Sequence, residues 1–300
     1  MNLPTLKQLR YFVALEEHEH FGKAAESCFV SQSAFSVAIK ELEIQLGAQL
    51  VDRTNKSVTI TRLGREVANH ARHCIRDVEY LTEIARSNQE SLTGRLNMGV
   101  IPTIAPFVLP SLMPRLRKSY PDLQLYLRED TTQAIYTALM GGELDVVLLA
   151  LPYKMSNVET LTLFKDHFLL ACHKNTQFLN PDDYKFESLP KESVLLLEDG
   201  HCLRDHALSA CKLQNQETVS RFSASSLYTL IEMVDSDIGI TYLTEMAKDS
   251  MILKHTDIKT YSIGKERYRE IGLAWRKGSA RSEEFQLLGE VIKASHQGRI

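Results

Sequence analysis

Long apolar runs are missing from this 300-residue chain. None approaches the about 20 residues that a helical membrane span needs. Near the start, the short run YFVAL passes at once into acids and histidines, so the segment does not read as a signal peptide. Charge of one sign is also missing: 35 Lys and Arg stand against 38 Asp and Glu, a net charge of −3. That excludes a uniformly basic nucleic-acid coat, but leaves room for a small DNA-reading module inside a larger chain. No CxxC and no Cys/His cluster has zinc-ligand spacing, so no metal is expected, and nothing implies an organic cofactor. The expected setting is soluble and cytoplasmic, with no membrane partner. There, five cysteines are reduced by default and read as core or redox residues rather than structural disulfides. What is present is 44% apolar composition, ample for a packed core, over a length that suits about two domains.

In the first third, Leu6, Leu9, Tyr11, Phe12, Val13 and Leu15 mark a helical stripe. Phe21 to Ser27 reads as a short helix packed through Ala24 and Ala25, and Cys28 to Val30 as a tight turn. Ser31 can cap a second helix that runs to Leu46 and stops at Gly47. Its expected buried face is Ala34, Ala38, Ile39, Leu42 and Leu46, which leaves Gln32, Ser33, Ser36, Lys40 and Glu43 outside. Short polar groups from Ser31 through Ser36 suit a recognition helix, because Gln pairs bidentately with adenine and Ser donates to a base or a phosphate. The stretch LVDRTNKSVTITRLG then alternates around Asn55-Lys56 like a hairpin wing, offering Arg53, Lys56 and Arg62 to phosphates. An ordinary helical hairpin with a solvated face fits the same pattern. Residues 20 to 65 carry six Lys or Arg against four Asp or Glu, so charge alone would not announce a DNA binder.

The ordered pattern AAxSxxVSQSAxSxxIKxLExxLGxxLxxRTxxxxxxTxxG resembles the winged helix-turn-helix of LysR-type transcriptional regulators. The resemblance implies double-stranded DNA as a partner. Where many relatives have proline at position 33, this chain has serine, so the family's base preference does not carry over. From Leu63 to Leu92, Val67, Ala71, Cys74, Val78, Leu81 and Ala85 alternate at spacings of four and three. That seam predicts a helix that pairs with a second copy, in a homodimer or homotetramer; a helix packed on its own domain is the alternative.

After Thr93-Gly94 the texture changes. RLNMGVIPT, LQLYLRED, LDVVLLAL, HFLLACHK and SVLLLEDG are β-rich runs, each followed by a helical stretch, the alternation of α/β units with parallel strands. Such sheets bind ligands at helix N-termini. Thr103, Thr131, Thr132, Ser223, Ser225 and Ser226 end suitable segments, although each also reads as a simple helix cap. REIGLAWRKG and the helix SEEFQLLGEVIKA can return the chain to the first sheet. The expected class is α+β and multidomain: a winged helix-turn-helix (1–62), a dimerisation helix (63–93) and a regulatory domain (94–300). The resemblance implies that the last is two-lobed, like a periplasmic binding protein, with lobe I about 94–166 and 267–300 and lobe II about 167–266.

The stretch LLLEDGHCLRDHALSAC sets Cys202 and Cys211 nine residues apart. A helix beginning near His201 would put Cys202 in its first turn, where free amides and the helix dipole stabilise a thiolate. Nine helical residues rise about 13.5 Å, far beyond disulfide reach. Two small buried residues fit that spacing; so does a switch whose bond forms only once the helix melts. EDGHCLRD with ALSAC, followed by FSASSLYTLIEMVDSDIGIT, is similar to the peroxide-sensing LysR-type regulators along essentially the whole chain. That resemblance implies that Cys202 is the peroxidatic cysteine and Cys211 the resolving one. It places Thr103, Thr132, His201 and Arg269 around the peroxide, with Arg204 and Asp205 ordering the loop. It further implies a regulator rather than an enzyme, RNA polymerase as a partner at antioxidant genes, and reset by a thiol–disulfide reductant such as glutaredoxin. The rivals are a LysR-type regulator that answers to a small metabolite in the interlobe cleft and a thiol peroxidase, which would leave residues 1 to 92 unexplained.

Overall fold

The structure, a computed structural model, describes residues 3–53, 58–86, 92–181, 189–210 and 216–297. Its contacts group into two compact units, one made of 1–90 with 138–144 and the other of 91–137 with 145–300. No helix among the described residues is long and apolar enough to cross a membrane.

In the first unit, α1 (Leu6–His18) starts at a reciprocal cap. The Thr5 hydroxyl accepts from the Gln8 amide, and the Gln8 side chain accepts from the Thr5 amide. α2 (Phe21–Ser27) packs Ala24 and Ala25 inward. α3 (Gln32–Leu46) is capped by Ser31 and stopped at left-handed Gly47. The buried face of α3 differs from the expected one. Phe35, Ile39 and Leu42 point inward, Ala34 is exposed, Ala38 is half-buried, and Leu46 is exposed. The reason is size: Phe35 stacks on Tyr11 and meets Phe21 edge-on, filling a volume that Ala34 cannot. Glu43, expected outside, is half-buried and turns its carboxylate to the amides of Leu50 and Val51, where the wing begins. β1 (Val51–Arg53) and β2 (Val58–Ile60) pair antiparallel. α4 (Arg62–Arg86) packs its N-terminal half on this core through Val67 and Ala68. Farther along the seam, Cys74, Val78 and Leu81 are exposed.

The second unit begins with β3 (Gly94–Val100), α5 (Ala105–Ser119), β4 (Leu123–Glu129), α6 (Thr132–Met140) and β5 (Val146–Leu151), with β3 parallel to both β4 and β5. The all-parallel expectation fails at the next strand. β6 (Val158–His173) is one ladder element of 16 residues, and every partner it has is antiparallel. β7 (Val194–Leu197), α7 (Cys202–Ala210), β8 (Val219–Ala224), α8 (Leu227–Asp235), β9 (Thr241–Thr244), α9 (Glu245–Lys248) and β10 (Ile258–Ser262) follow. β11 (Tyr268–Arg276) then inserts between β5 and β6, antiparallel to both, and α10 (Ser282–Gln297) closes the chain. Alternating β and α segments announce layers, not strand direction; β11 returns from a distant segment and is free to run the other way. The first half of β6 pairs with β11, and the second half lies between β9 and β10. A separate pair, β7 and β8, is parallel. Around it one apolar cluster joins Phe168, Leu170, Ala171 and Cys172 to Val194 through Leu197, Leu203, Ala207 and Leu230.

Candidate functional site

Arg269 lies on β11 directly across from Asp166 on β6. Both side chains are withdrawn from solvent, at 0% and 1% exposure. Arg269 Nε donates to Asp166 Oδ2 at 3.0 Å. Its two terminal nitrogens both turn to Thr103, one donating to the hydroxyl and one to the carbonyl, each at 2.9 Å. Asp166 Oδ1 accepts from the Met246 amide at 3.2 Å. A buried guanidinium is tolerated when its charge is neutralised and its donors find acceptors; here Asp166 supplies the charge, and each of the three nitrogens makes a bond. Thr103 is thereby held at the turn before α5 with one of its two hydroxyl lone pairs occupied.

Of the possible helix caps, Thr131 and Ser226 act as such, accepting from the amides of Ala134 and Thr229. Ser223 and Ser225 face solvent. Thr132 caps nothing. It is 2% exposed, and no described residue bonds its hydroxyl oxygen. Its neighbour Gln133 accepts a 2.9 Å bond from the Tyr153 hydroxyl. The Tyr153 phenol is held above its usual range, by burial first and then by the acidic groups of Cys202, Asp205 and Tyr136. Tyr153 therefore joins the start of α6 to the surroundings of Cys202.

Cys202 is the first residue of α7 and is buried, as is His201 before it. α7 packs against β11, the strand of Arg269, and against β7. Arg204 fastens the loop that precedes the helix, donating to the Leu197 carbonyl at 3.2 Å and pairing with Asp199 at 3.0 Å. Asp205 points to solvent. One turn after Cys202, His206 Nε2 lies 3.2 Å from the Pro152 carbonyl. A carbonyl only accepts, so Nε2 carries a proton; Nδ1 is buried and bonded by no described residue. Burial pushes the His206 pKa down, and Arg269 adds to this; the Pro152 bond and Asp205 oppose it. Cys211 lies outside the described residues, as does Lys56 in the wing. Among the remaining thiols, Cys172 is buried in β6 and pushed up to about 11, by burial first and then by Asp237.

At the other candidate surface, Ser31, Gln32, Ser33 and Lys40 are exposed along α3, and Ser36 is half-buried. Arg62 is exposed at the start of α4 and pairs with Glu66; Arg53 closes β1. An apolar groove of about 520 Å³ runs between α1 and α4, lined by Leu3, Leu9, Leu46, Val67, Cys74 and Val78 among others.

Asp166 and Tyr153 are the site residues that the sequence reading did not assign. A single carboxylate inside the β-rich run FKDHFLLAC was the available signal for Asp166. No comparable signal marks Tyr153, whose position depends on the loop after β5.

Comparison with known proteins follows the same division. The family described as "Bacterial regulatory helix-turn-helix protein, lysR family" matches residues 6–65, and "LysR substrate binding domain" matches residues 89–297. The transcriptional regulator EstR of Acinetobacter baylyi is 39% identical, over 97% of this chain and 97% of its own. The DNA-binding transcriptional dual regulator OxyR of Escherichia coli is 37% identical, over 98% of this chain and 96% of its own. A cysteine-to-aspartate variant of full-length OxyR from Pseudomonas aeruginosa superimposes with a TM-score of 0.79 at 32% identity, covering 98% of this chain and 96% of that one.

Proposed function

The chain belongs to the LysR family of bacterial transcriptional regulators, and from that premise we propose that it is a DNA-binding regulator of the peroxide response. One observation carries the reading. A buried cysteine opens α7, which packs on the strand whose buried Arg269 fixes the Thr103 hydroxyl. Thr103, Thr132, His201 and Arg269 form the peroxide pocket, with Arg204 ordering the loop. The Cys202 thiolate attacks one peroxide oxygen, the O–O bond breaks, and hydroxide leaves as Cys202 becomes a sulfenic acid. The Cys211 thiol then displaces water to form the disulfide. Cys202 and the end of α7 lie too far apart for that bond, so the helix unwinds and the regulatory domain repacks. A dithiol reductant such as glutaredoxin resets the switch. The exposed seam of α4 and the apolar groove beside it support a homodimer, whose two α3 helices read two half-sites and recruit RNA polymerase.

The test is mass spectrometry of the full-length protein after low-micromolar peroxide. Loss of two hydrogens, mapped to a Cys202–Cys211 bond, is expected. Cys211→Ser should stop at a sulfenic acid trapped by dimedone and should leave the DNA footprint in its reduced form. If the two thiols stay unlinked while the footprint still changes on adding a small metabolite, the redox reading falls and the metabolite sensor replaces it.

A further inference from the structure

Two apolar side chains stand where a DNA-reading surface is expected to be polar. The first is Val37, 56% exposed on α3. At about 100° per residue, Ser33, Val37 and Lys40 share the stripe opposite the buried Phe35, Ile39 and Leu42. Val37 therefore sits at the centre of the outward face, one turn beyond Ser33. The second is Phe29, 95% exposed in the turn between α2 and α3. Its backbone is left-handed, at φ 57. The Phe29 amide donates to Glu26 and the Val30 amide to Ala25, closing α2 in the double-bonded manner that normally uses glycine at the left-handed position. A bulky residue there costs about 1 kcal/mol or more in strain. Exposing a phenyl ring adds nothing to the fold. A strained backbone and a solvated ring coincide two residues before the cap of the helix that enters the groove.

We propose that Val37 and Phe29 are apolar base-reading contacts, and that the DNA sequence this protein prefers places thymine methyl groups against them. The proposal rests on α3 being the recognition helix of a DNA-binding protein and is independent of the peroxide chemistry. In the major groove the C5-methyl of thymine is the one apolar feature a side chain can read, and it discriminates T from C without a hydrogen bond. A flanking Lys40 and the short hydroxyls of Ser33 and Ser36 leave Val37 free to approach the base edge closely. A protein-docking role for the same residues would leave DNA affinity untouched.

The experiment uses the full-length protein and DNA duplexes it selects from a randomised pool. Each thymine of the best duplex is replaced singly by deoxyuridine, which deletes the methyl and keeps the hydrogen-bonding edge, and affinity is read by fluorescence anisotropy at fixed salt. Burying one methyl is worth about a fourfold change in affinity, so one or two positions per half-site should weaken by about that factor. Val37→Ala should weaken binding to the thymine duplex and lose its sensitivity to deoxyuridine at one of those positions. Phe29→Gly should raise the melting temperature, because glycine relieves the left-handed position, yet weaken binding by at least the factor seen for one methyl. Wild-type protein that binds every deoxyuridine duplex as tightly as the thymine one overturns the proposal. So does a Val37→Ala protein, folded by circular dichroism, with unchanged affinity and unchanged deoxyuridine sensitivity. If no duplex is selected at all, it is the recognition-helix reading that fails.

Discussion

Replacing Asp166 with alanine leaves the Arg269 guanidinium buried with nothing to neutralise it. The wild-type pair is fully withdrawn from water, at 0% and 1% exposure, and Asp166 also receives the Met246 amide. Removing one partner of such a pair costs about 3–5 kcal/mol. With a urea m-value of about 3 kcal/mol/M for a unit of this size, the unfolding midpoint should fall by about 1–2 M. The chain carries its own reporter: its single tryptophan, Trp275, lies buried on the same strand as Arg269, with its ring against Phe285. Its emission follows this unit whatever the other unit does. Asp166→Asn keeps the shape and part of the bonding, and should fall between the two. The double variant Asp166→Leu, Arg269→Met removes both charges and should be more stable than Asp166→Ala, since no orphaned ion remains. An Asp166→Ala midpoint equal to wild type would refute the argument. So would a double variant as unstable as the sum of its single changes, because the cost would then lie in packing rather than in charge.

Three further outcomes are expected. Gly64→Ala drives its new Cβ into the Leu50 carbonyl and the Ile60 side chain, where α4 meets the wing. The first unit should lose about 1–3 kcal/mol and bind DNA more weakly. His206 has a depressed pKa in the fold, so the unfolded chain binds its proton first. Its contribution to stability is complete above about pH 6.5 and declines as pH falls below that value through the folded pKa. Thermal melts of wild type minus His206→Gln over that window should show this slope, and a flat difference removes the assignment. The Cys172 thiol, at about 11 and buried, should resist iodoacetamide at neutral pH in the folded protein and be labelled once urea unfolds it; ready labelling of folded protein contradicts the burial.

The first unit was legible because its signals are local. Ser31 and Gly47 bracket α3 by chemistry confined to neighbouring residues, and both ends fall where the caps put them. The inward face of that helix was misphased by one residue, because a small Ala34 was preferred to the larger Phe35 that the core needed. In the second unit β3, β4, β5, β7, β11 and the second half of β6 were visible, whereas the first half of β6, the short strands β8, β9 and β10, and the strand directions were not. Direction is set by what returns to the sheet, and β11 returns from more than a hundred residues after β5 begins. The same distance hid Asp166. Arg269 and Thr103 could be named from resemblance, whereas the carboxylate that makes a buried arginine tolerable follows only once β6 and β11 are in register.

That register has a mechanical meaning. β6 is 16 residues long, paired with β11 along its first half and with β9 and β10 along its second, so it is a single beam shared by two neighbouring pieces of sheet. Sliding one piece past the other would break a row of backbone hydrogen bonds at once. Twisting about the beam only bends them. The freedom left to the two ends is torsional, and Arg269 on β11 is bonded on one side to Asp166 of the beam and on the other to Thr103, just after β3. Arg269 thereby ties the turn before α5 to the beam itself.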